Sequence, residues 1–404
     1  MIPFSPPRID QKIIDEVVET LRSGWITTGP RTKLFEKKLA EYCNIPSVLC
    51  LNSATAGLEL MLRWFGVKEG DEVIVPAYTY CATANVIIHC GAKPVFVHAG
   101  DDFNISVDGI EKAITVNTKV ILPVDIAGFP CNYDEINSLV KRQDIAKLFS
   151  GSTNEQKTLG RILVLSDAAH SLGAIYKGKK IGSVADLSVF SFHAVKNLTT
   201  AEGGAVCLNL PEPFDNKKIY DYLCVKSLHG QSKDAFSKTK IGSWRYDVVE
   251  AGFKNNMTDI QAAMGLAEID RYDSDMLVKR KQIFDKYSGR LQKYEWAEIP
   301  QYEKNDKRTS YHAFLLRIKN ITEDQRDEII SKIYEKEVAV NVHFIPLPML
   351  SLYKNLGYDI SDYPITYDNY SREISLPVYY SLTDSQIDLV ADVVISSVEE
   401  IINN

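Results

Sequence analysis

SFHAVKNLTTAEGGAV, residues 191–206, read beside SDAAH, residues 166–170, decides what kind of molecule this is. Asp167 closes one apolar run, and Lys196 follows the next, 29 residues later. A carboxylate after ILVLS is costly to bury unless it is paired. The later run reads as a strand ending at His193, after which Gly203 and Gly204 let the backbone turn tightly into another strand. A lysine at such a strand end stands where α/β sheets bind ligands. The ordinary alternatives are a surface lysine and an aspartate capping a helix over AAHSLGA. An amine and an acid held together in an interior point instead to pyridoxal 5'-phosphate (PLP). The amine bonds to its aldehyde, and the acid keeps its ring nitrogen protonated.

Outward from this pair, helical patterns alternate with short apolar runs. Ile14, Val17, Val18 and Leu21 repeat at helical spacing before Gly24. Leu58, Met61, Leu62 and Phe65 do so before Gly66, and ATANVIIHC forms a third helix candidate. SVLCLN, DEVIVPAY, KPVFVHAG, KVILPVDI, RILVLSDAA, DLSVFSFH and GGAVCLN are strand candidates, apolar along most of their length. That pattern predicts an α/β domain with a mostly parallel central sheet over residues 1–255. The polar stretch QDIAKLFSGSTNEQKTLG, residues 143–160, breaks the rhythm and is expected to be a surface insertion. Residues 256–404 read as a smaller C-terminal α/β domain. Thr258 and Gln261 have capping-box spacing at the start of a helix. YHAFLLRI is then expected as a strand, TEDQRDEIISKIYEKE as a helix, VAVNVHF as a strand, and a last helix from about Thr383.

Composition narrows the class. A chain of 404 residues with 45% hydrophobic and 25% charged residues is a globular protein of two domains. The formal net charge of -7 argues against a nucleic-acid partner. Seven cysteines, an odd number with no Cys-x-x-Cys pair, suit reduced thiols in the cytoplasm. MIPFSPPRIDQK has no signal-peptide core, and no run of about 18 apolar residues suggests a membrane span. The seven histidines are scattered, so no metal site is expected.

Further residues gain meaning around the lysine. SATAG, residues 53–57, lies between a strand and a helix, where small residues let backbone N–H groups approach an anion. Ser53 or Thr55 as a plain helix cap is the alternative. Ser191, five residues before Lys196, could reach the same phosphate. Tyr80 could stack on a planar ring or pack in the core. His170 could face the cofactor or be a hydrogen-bonded core histidine.

SGWITTGP, NSATAGLEL, GDEVIVPAYTY, SDAAHSLGA, SFHAVKNLTTAEGG, NNMTDIQAA and SLPVYYSLT, in that order, resemble the DegT/DnrJ/EryC1/StrS family of PLP-dependent sugar aminotransferases over nearly the whole chain. The resemblance implies fold type I, aspartate aminotransferase-like, and a homodimer with shared active sites. It implies that Lys196 holds PLP covalently and shuttles a proton, and that Asp167 pairs with the ring nitrogen. His170 would lie near the ring, and Tyr80 would stack on it. Ala54, Thr55 and Ser191 would bind the phosphate. Asn256 would reach the phosphate of the neighbouring subunit, unless it only caps a helix.

The family's substrates are nucleotide-linked keto sugars and its amino donor is usually L-glutamate, and the resemblance implies for this chain a role in making cell-surface polysaccharide or lipopolysaccharide sugars. DAAH and SFHAVKNLT are similar to members that aminate C4 of UDP- or dTDP-4-keto sugars; C3 members more often have glutamine at the position of His170. The resemblance places Trp25, His229 and His312 at the substrate. Pro348 stands where many relatives have histidine, which leaves the contacts near His343 open. A PLP-dependent sugar dehydratase is the near alternative, but such relatives carry histidine at the position of Lys196. A PLP-binding protein without turnover is the alternative of a different class.

Overall fold

The computed structural model describes residues 1–232 and 245–403. Seven strands form its central sheet in the order Ser47–Leu51, Gly204–Leu208, Leu187–Ser191, Leu163–Asp167, Thr118–Ile121, Glu72–Pro76, Lys93–Val97. Gly204–Leu208 runs against both its neighbours, and the remaining pairs are parallel. Every residue of Ser47–Leu51, Leu163–Asp167 and Gly204–Leu208 is buried. Covered on both faces, these strands read as unbroken apolar runs instead of alternating ones. Helix Ala54–Trp64 lies close on one face because residue 57 is glycine. A Cβ there would come within 2.9 Å of Val189 and 3.0 Å of Val206.

The later part of the chain holds a three-stranded antiparallel sheet, Ala297–Glu298, Phe314–Ile318 and Glu373–Leu376. The helices Leu277–Leu291, Glu323–Glu335 and Asp384–Ile402 pack together beside it. Capping boxes open three helices at Thr258, Thr322 and Thr383. No helix among the described residues is long and apolar enough to cross a membrane.

Several expectations need correction. VAVNVHF is not a strand; it makes single bridges, Val338 to Ile2 and Asn341 to Ser375. Its expected place in the sheet is taken by Glu373–Leu376, whose four residues include a buried glutamate and a buried serine that hide the strand pattern. The strand before Lys196 ends at Ser191, and His193 already belongs to the following turn. The insertion at 143–160 forms two short helices, Gln143–Leu148 and Asn154–Leu159. Most of it is at the surface, but Gln156 is fully buried and donates its amide N–H to the Phe65 carbonyl (2.9 Å). Helix Gln11–Arg22 forms, yet it buries Ile13 and Thr20 while Ile14 and Leu21 of the apolar stripe face outward, 43% and 52% exposed.

One long-range cap ties the chain's halves together. Helix Pro30–Cys43 starts at Gly29, which has no side chain to cap it. The buried Asp259 carboxylate accepts instead from the N–H groups of Gly29 (2.8 Å), Arg31 (3.1 Å) and Thr32 (2.9 Å), and from the Thr32 hydroxyl (2.7 Å). Removing a buried, charged acceptor of this kind costs roughly 2–3 kcal/mol or more. Asp259→Ala should therefore lower the free energy of unfolding by about that amount in denaturant titration, with Asp259→Asn between it and wild type. A loss under about 0.5 kcal/mol would show that the cap does not hold the helix.

Candidate active site

The strand ends converge on one cavity. Ser53 to Thr55 follow the first strand, Thr79 and Tyr80 the second, Asp167 and His170 the fifth in chain order, and Ser191 and Lys196 the strand after that. Gly203 enters from the strand of opposite direction, so it too lies at this edge. Ligands bind at this edge of open α/β sheets. The cavity measures about 520 Å³, within the usual range for a small-molecule site.

Lys196 is held in the turn after its strand by its own N–H, which donates to the His193 carbonyl (2.9 Å). Burial lowers its pKa to about 8, with the Asp167 charge opposing. Asp167 ends strand Leu163–Asp167. One carboxylate oxygen accepts from the Thr83 hydroxyl (2.9 Å), the other from the Ala169 N–H (3.2 Å). Burial pushes its pKa up, while these two bonds and Lys196 pull it down. No helix follows Asp167, so the capping alternative falls away.

His170 and His312 share a wall, with ring centroids 4.2 Å apart. Burial keeps both neutral, and the nearby Lys196 charge adds to the effect. The Nδ1 atom of His170 is buried without a partner, an open hydrogen-bonding position. His312 Nδ1 bonds to Asn197 Oδ1 (2.9 Å). Tyr80 is not core packing: it is 60% exposed at the cavity mouth, with Phe344 5.9 Å away ring to ring.

At the cavity's other end Ser53, not Thr55, caps helix Ala54–Trp64 by accepting from the Ala56 N–H (3.1 Å). The N–H groups of Ala54 and Thr55 have no acceptor within the helix, the arrangement that binds anions. Gly204 lets the sheet come up beneath this turn, since a Cβ there would lie 2.4 Å from the Ala54 nitrogen. Ser191 lines the same space. An amine shifted toward neutrality, a buried acid, an anion-binding turn and an open ring nitrogen together suit a planar, phosphorylated aldehyde such as PLP.

Trp25 and His229, expected at the substrate, are not in this cavity, and Asn256, expected to serve the neighbouring subunit, also lies outside it. The Trp25 indole donates to the Thr28 carbonyl (3.2 Å). His229 sits in a left-handed turn, with its N–H donating to the Phe253 carbonyl (2.7 Å). Asn256 donates to the Thr28 hydroxyl (2.6 Å) and accepts from Lys254; it is not a helix cap, which is Thr258. Sequence reasoning missed Thr83, Phe4, His343 and Phe344, all of which line the cavity. The position of His343 in HFIPLPM was the one available signal among them. Pro348 is buried in a short turn and does not line the cavity. Among the described residues no three His, Cys, Asp or Glu side chains gather as a metal site.

Residues 7–395 match the DegT/DnrJ/EryC1/StrS aminotransferase family. A Streptococcus pneumoniae protein assigned as a sugar aminotransferase, solved in PLP and PMP forms, is 44% identical. In its PMP form it superposes with a TM-score of 0.95, covering 99% of this chain and 100% of that one. Helicobacter pylori PseC, an aminotransferase of pseudoaminic acid biosynthesis, is 28% identical with a TM-score of 0.87 and 99% of each chain covered. The spore coat polysaccharide biosynthesis protein SpsC of Bacillus subtilis is 36% identical over 97% of this chain and 96% of its own. The match along nearly the full length agrees with the cavity's chemistry, and this chain belongs to the DegT/DnrJ/EryC1/StrS family of PLP-dependent sugar aminotransferases.

Proposed function

We propose that this enzyme moves the amino group of L-glutamate onto C4 of a nucleotide-linked keto sugar, a UDP- or dTDP-4-keto sugar. Its place would be the cytoplasm, in the making of cell-surface polysaccharide or lipopolysaccharide sugars. The observation that carries the reading is Lys196 with a pKa near 8, facing Asp167 and a wall of neutral histidines in one cavity. Neutral imidazoles suit sugar hydroxyls, and no arginine lines the cavity among the described residues. SpsC and PseC, by their names, serve polysaccharide and pseudoaminic acid biosynthesis, which supports a sugar of this kind. His170, where C3-acting relatives more often have glutamine, supports C4.

PLP, when bound, would supply an aldehyde and an electron-accepting ring. The chain's residues do the rest. Lys196 Nζ, poised between charged and uncharged forms near pH 8, takes up a proton and returns it on the other side of the exchange. Asp167 would keep the cofactor's ring nitrogen protonated, and Thr83 fixes the carboxylate's orientation. The Ala54–Thr55 turn and Ser191 anchor the phosphate. His170 would lie against the cofactor ring and His312 orients the sugar, and together they exclude water.

A homodimer completes this reading. The nucleotide's diphosphate carries charge that the cavity's own cations do not balance. Trp25, His229 and Asn256 lie outside the cavity of their own chain, where they can serve a second copy. The outward apolar stripe of helix Gln11–Arg22 gives such a copy a surface to cover.

Three measurements test the proposal. A panel of UDP-, dTDP- and GDP-keto sugars with L-glutamate should yield 2-oxoglutarate and a C4 amine by product NMR, and Lys196→Ala should abolish both. Product aminated at C3, or none from any sugar, overturns the assignment. Asn256→Ala should weaken PLP retention by about tenfold in equilibrium dialysis, since it removes one charge-assisted phosphate contact; unchanged affinity removes that residue from the site. Only the uncharged amine bonds to an aldehyde. The rate at which cofactor-free protein takes up PLP should therefore climb about tenfold per pH unit up to about 8 and then level off. A rate already flat below about pH 7 would place the lysine elsewhere.

A further inference from the structure

We propose that Ser375 and Glu373 are positioning residues that set which ring nitrogen of His343 carries the proton, and so whether its cavity-facing Nε2 donates to the sugar or accepts from it. The proposal rests on reading the cavity as a sugar site. Glu373 opens strand Glu373–Leu376 and is fully buried. One carboxylate oxygen accepts the backbone N–H of His343 (3.0 Å), and the other meets the Ser375 hydroxyl (2.5 Å). That hydroxyl also meets His343 Nδ1 (2.8 Å). Backbone bonds between Asn341 and Ser375 (3.1 and 2.7 Å) pin the histidine's segment to the strand. Phe4 stacks on the imidazole, 5.5 Å between centroids, and Phe344 meets it edge-on at 5.0 Å. With Nδ1 engaged, Nε2 is the nitrogen left for the cavity that Lys196 also lines.

The serine hydroxyl has a single proton, which fixes the logic. When Glu373 is ionised it can only accept. Ser375 then donates to Glu373 and accepts from Nδ1–H, and Nε2 is a bare acceptor. When Glu373 is neutral it donates to Ser375, Ser375 donates to Nδ1, and the ring proton sits on Nε2. The two states differ by one proton. A proton entering at Nε2 displaces the Nδ1 proton to Ser375, whose own proton passes to Glu373; the imidazole is neutral before and after.

The surroundings permit this. Burial pushes Glu373 up to about 8 and His343 down to about 4, so the ring stays neutral while the glutamate titrates. The bonds from Ser375 and the His343 N–H oppose the shift of Glu373, and Arg326 and Arg317 oppose it less, being paired with Asp327 and Glu298. Tyr78 also faces Glu373, and its hydroxyl donates to the His343 carbonyl (2.5 Å). Lys196, His170 and His312 are the remaining titratable neighbours of His343.

The test is the tautomer itself, read by long-range ¹H–¹⁵N correlation on holoenzyme with ¹⁵N-labelled histidine, from about pH 6 to about pH 9.5. His343→Gln identifies the signal. The Nε2–H pattern should give way to Nδ1–H near pH 8 in wild type. Glu373→Gln, which keeps an amide donor for Ser375, should hold Nε2–H throughout, and Ser375→Ala should break the dependence even if the Glu373 variant fails to fold. The KM for the keto sugar should vary several-fold over the same range in wild type and be flat in Glu373→Gln. A single tautomer at all pH values in wild type, or a change that survives Ser375→Ala, overturns the proposal. Failure of every keto sugar to turn over would overturn the sugar reading and leave the tautomer result standing.

Discussion

An ammonium group shut away from water is unstable, and the fold turns that instability to use. Lys196 sits in the turn after a central strand, walled by apolar side chains and by histidines that burial keeps uncharged. Its proton is therefore loosely held. Asp167 is a full strand away in the sheet order but emerges at the same edge, so the lysine's charge is neither cancelled by close pairing nor left alone. Strands of one direction are what make this possible: Ser47–Leu51, Glu72–Pro76, Thr118–Ile121, Leu163–Asp167 and Leu187–Ser191 all end toward one side, and the cavity takes residues from each of these ends.

The end proposed to hold the phosphate obeys the same geometry with different chemistry. It needs no charged side chain, only a helix start with free N–H groups and a sheet close enough to support it. Gly57 and Gly204 supply the closeness, one from the helix and one from the strand. The cost is a narrow tolerance at both positions, because a methyl group at either would push the helix off the sheet.

The central sheet could be read from the sequence because both its faces are covered: burial makes its strands mostly apolar, and three of them are buried at every residue. Lys196 and Asp167 could be read because their residue types clash with such runs. What could not be read was polar and local. The strand Glu373–Leu376 carries a glutamate and a serine whose partners lie in the segment at 341–343. Thr83 reaches Asp167 across 84 residues, and no spacing rule announces such a bond. The outward face of Gln11–Arg22 was not legible for another reason: periodicity gives the helix but not which side of it a single chain buries.

The cap that Asp259 places on helix Pro30–Cys43 bears on the order in which the chain can finish folding. Thr32 leaves the ribosome 227 residues before its carboxylate partner does. Until then the helix has a glycine at its start and three amide groups with no acceptor from its own side chains. The nascent amino-terminal half is thus an unfinished object, held open at one corner until the helix beginning at Asp259 arrives to close it.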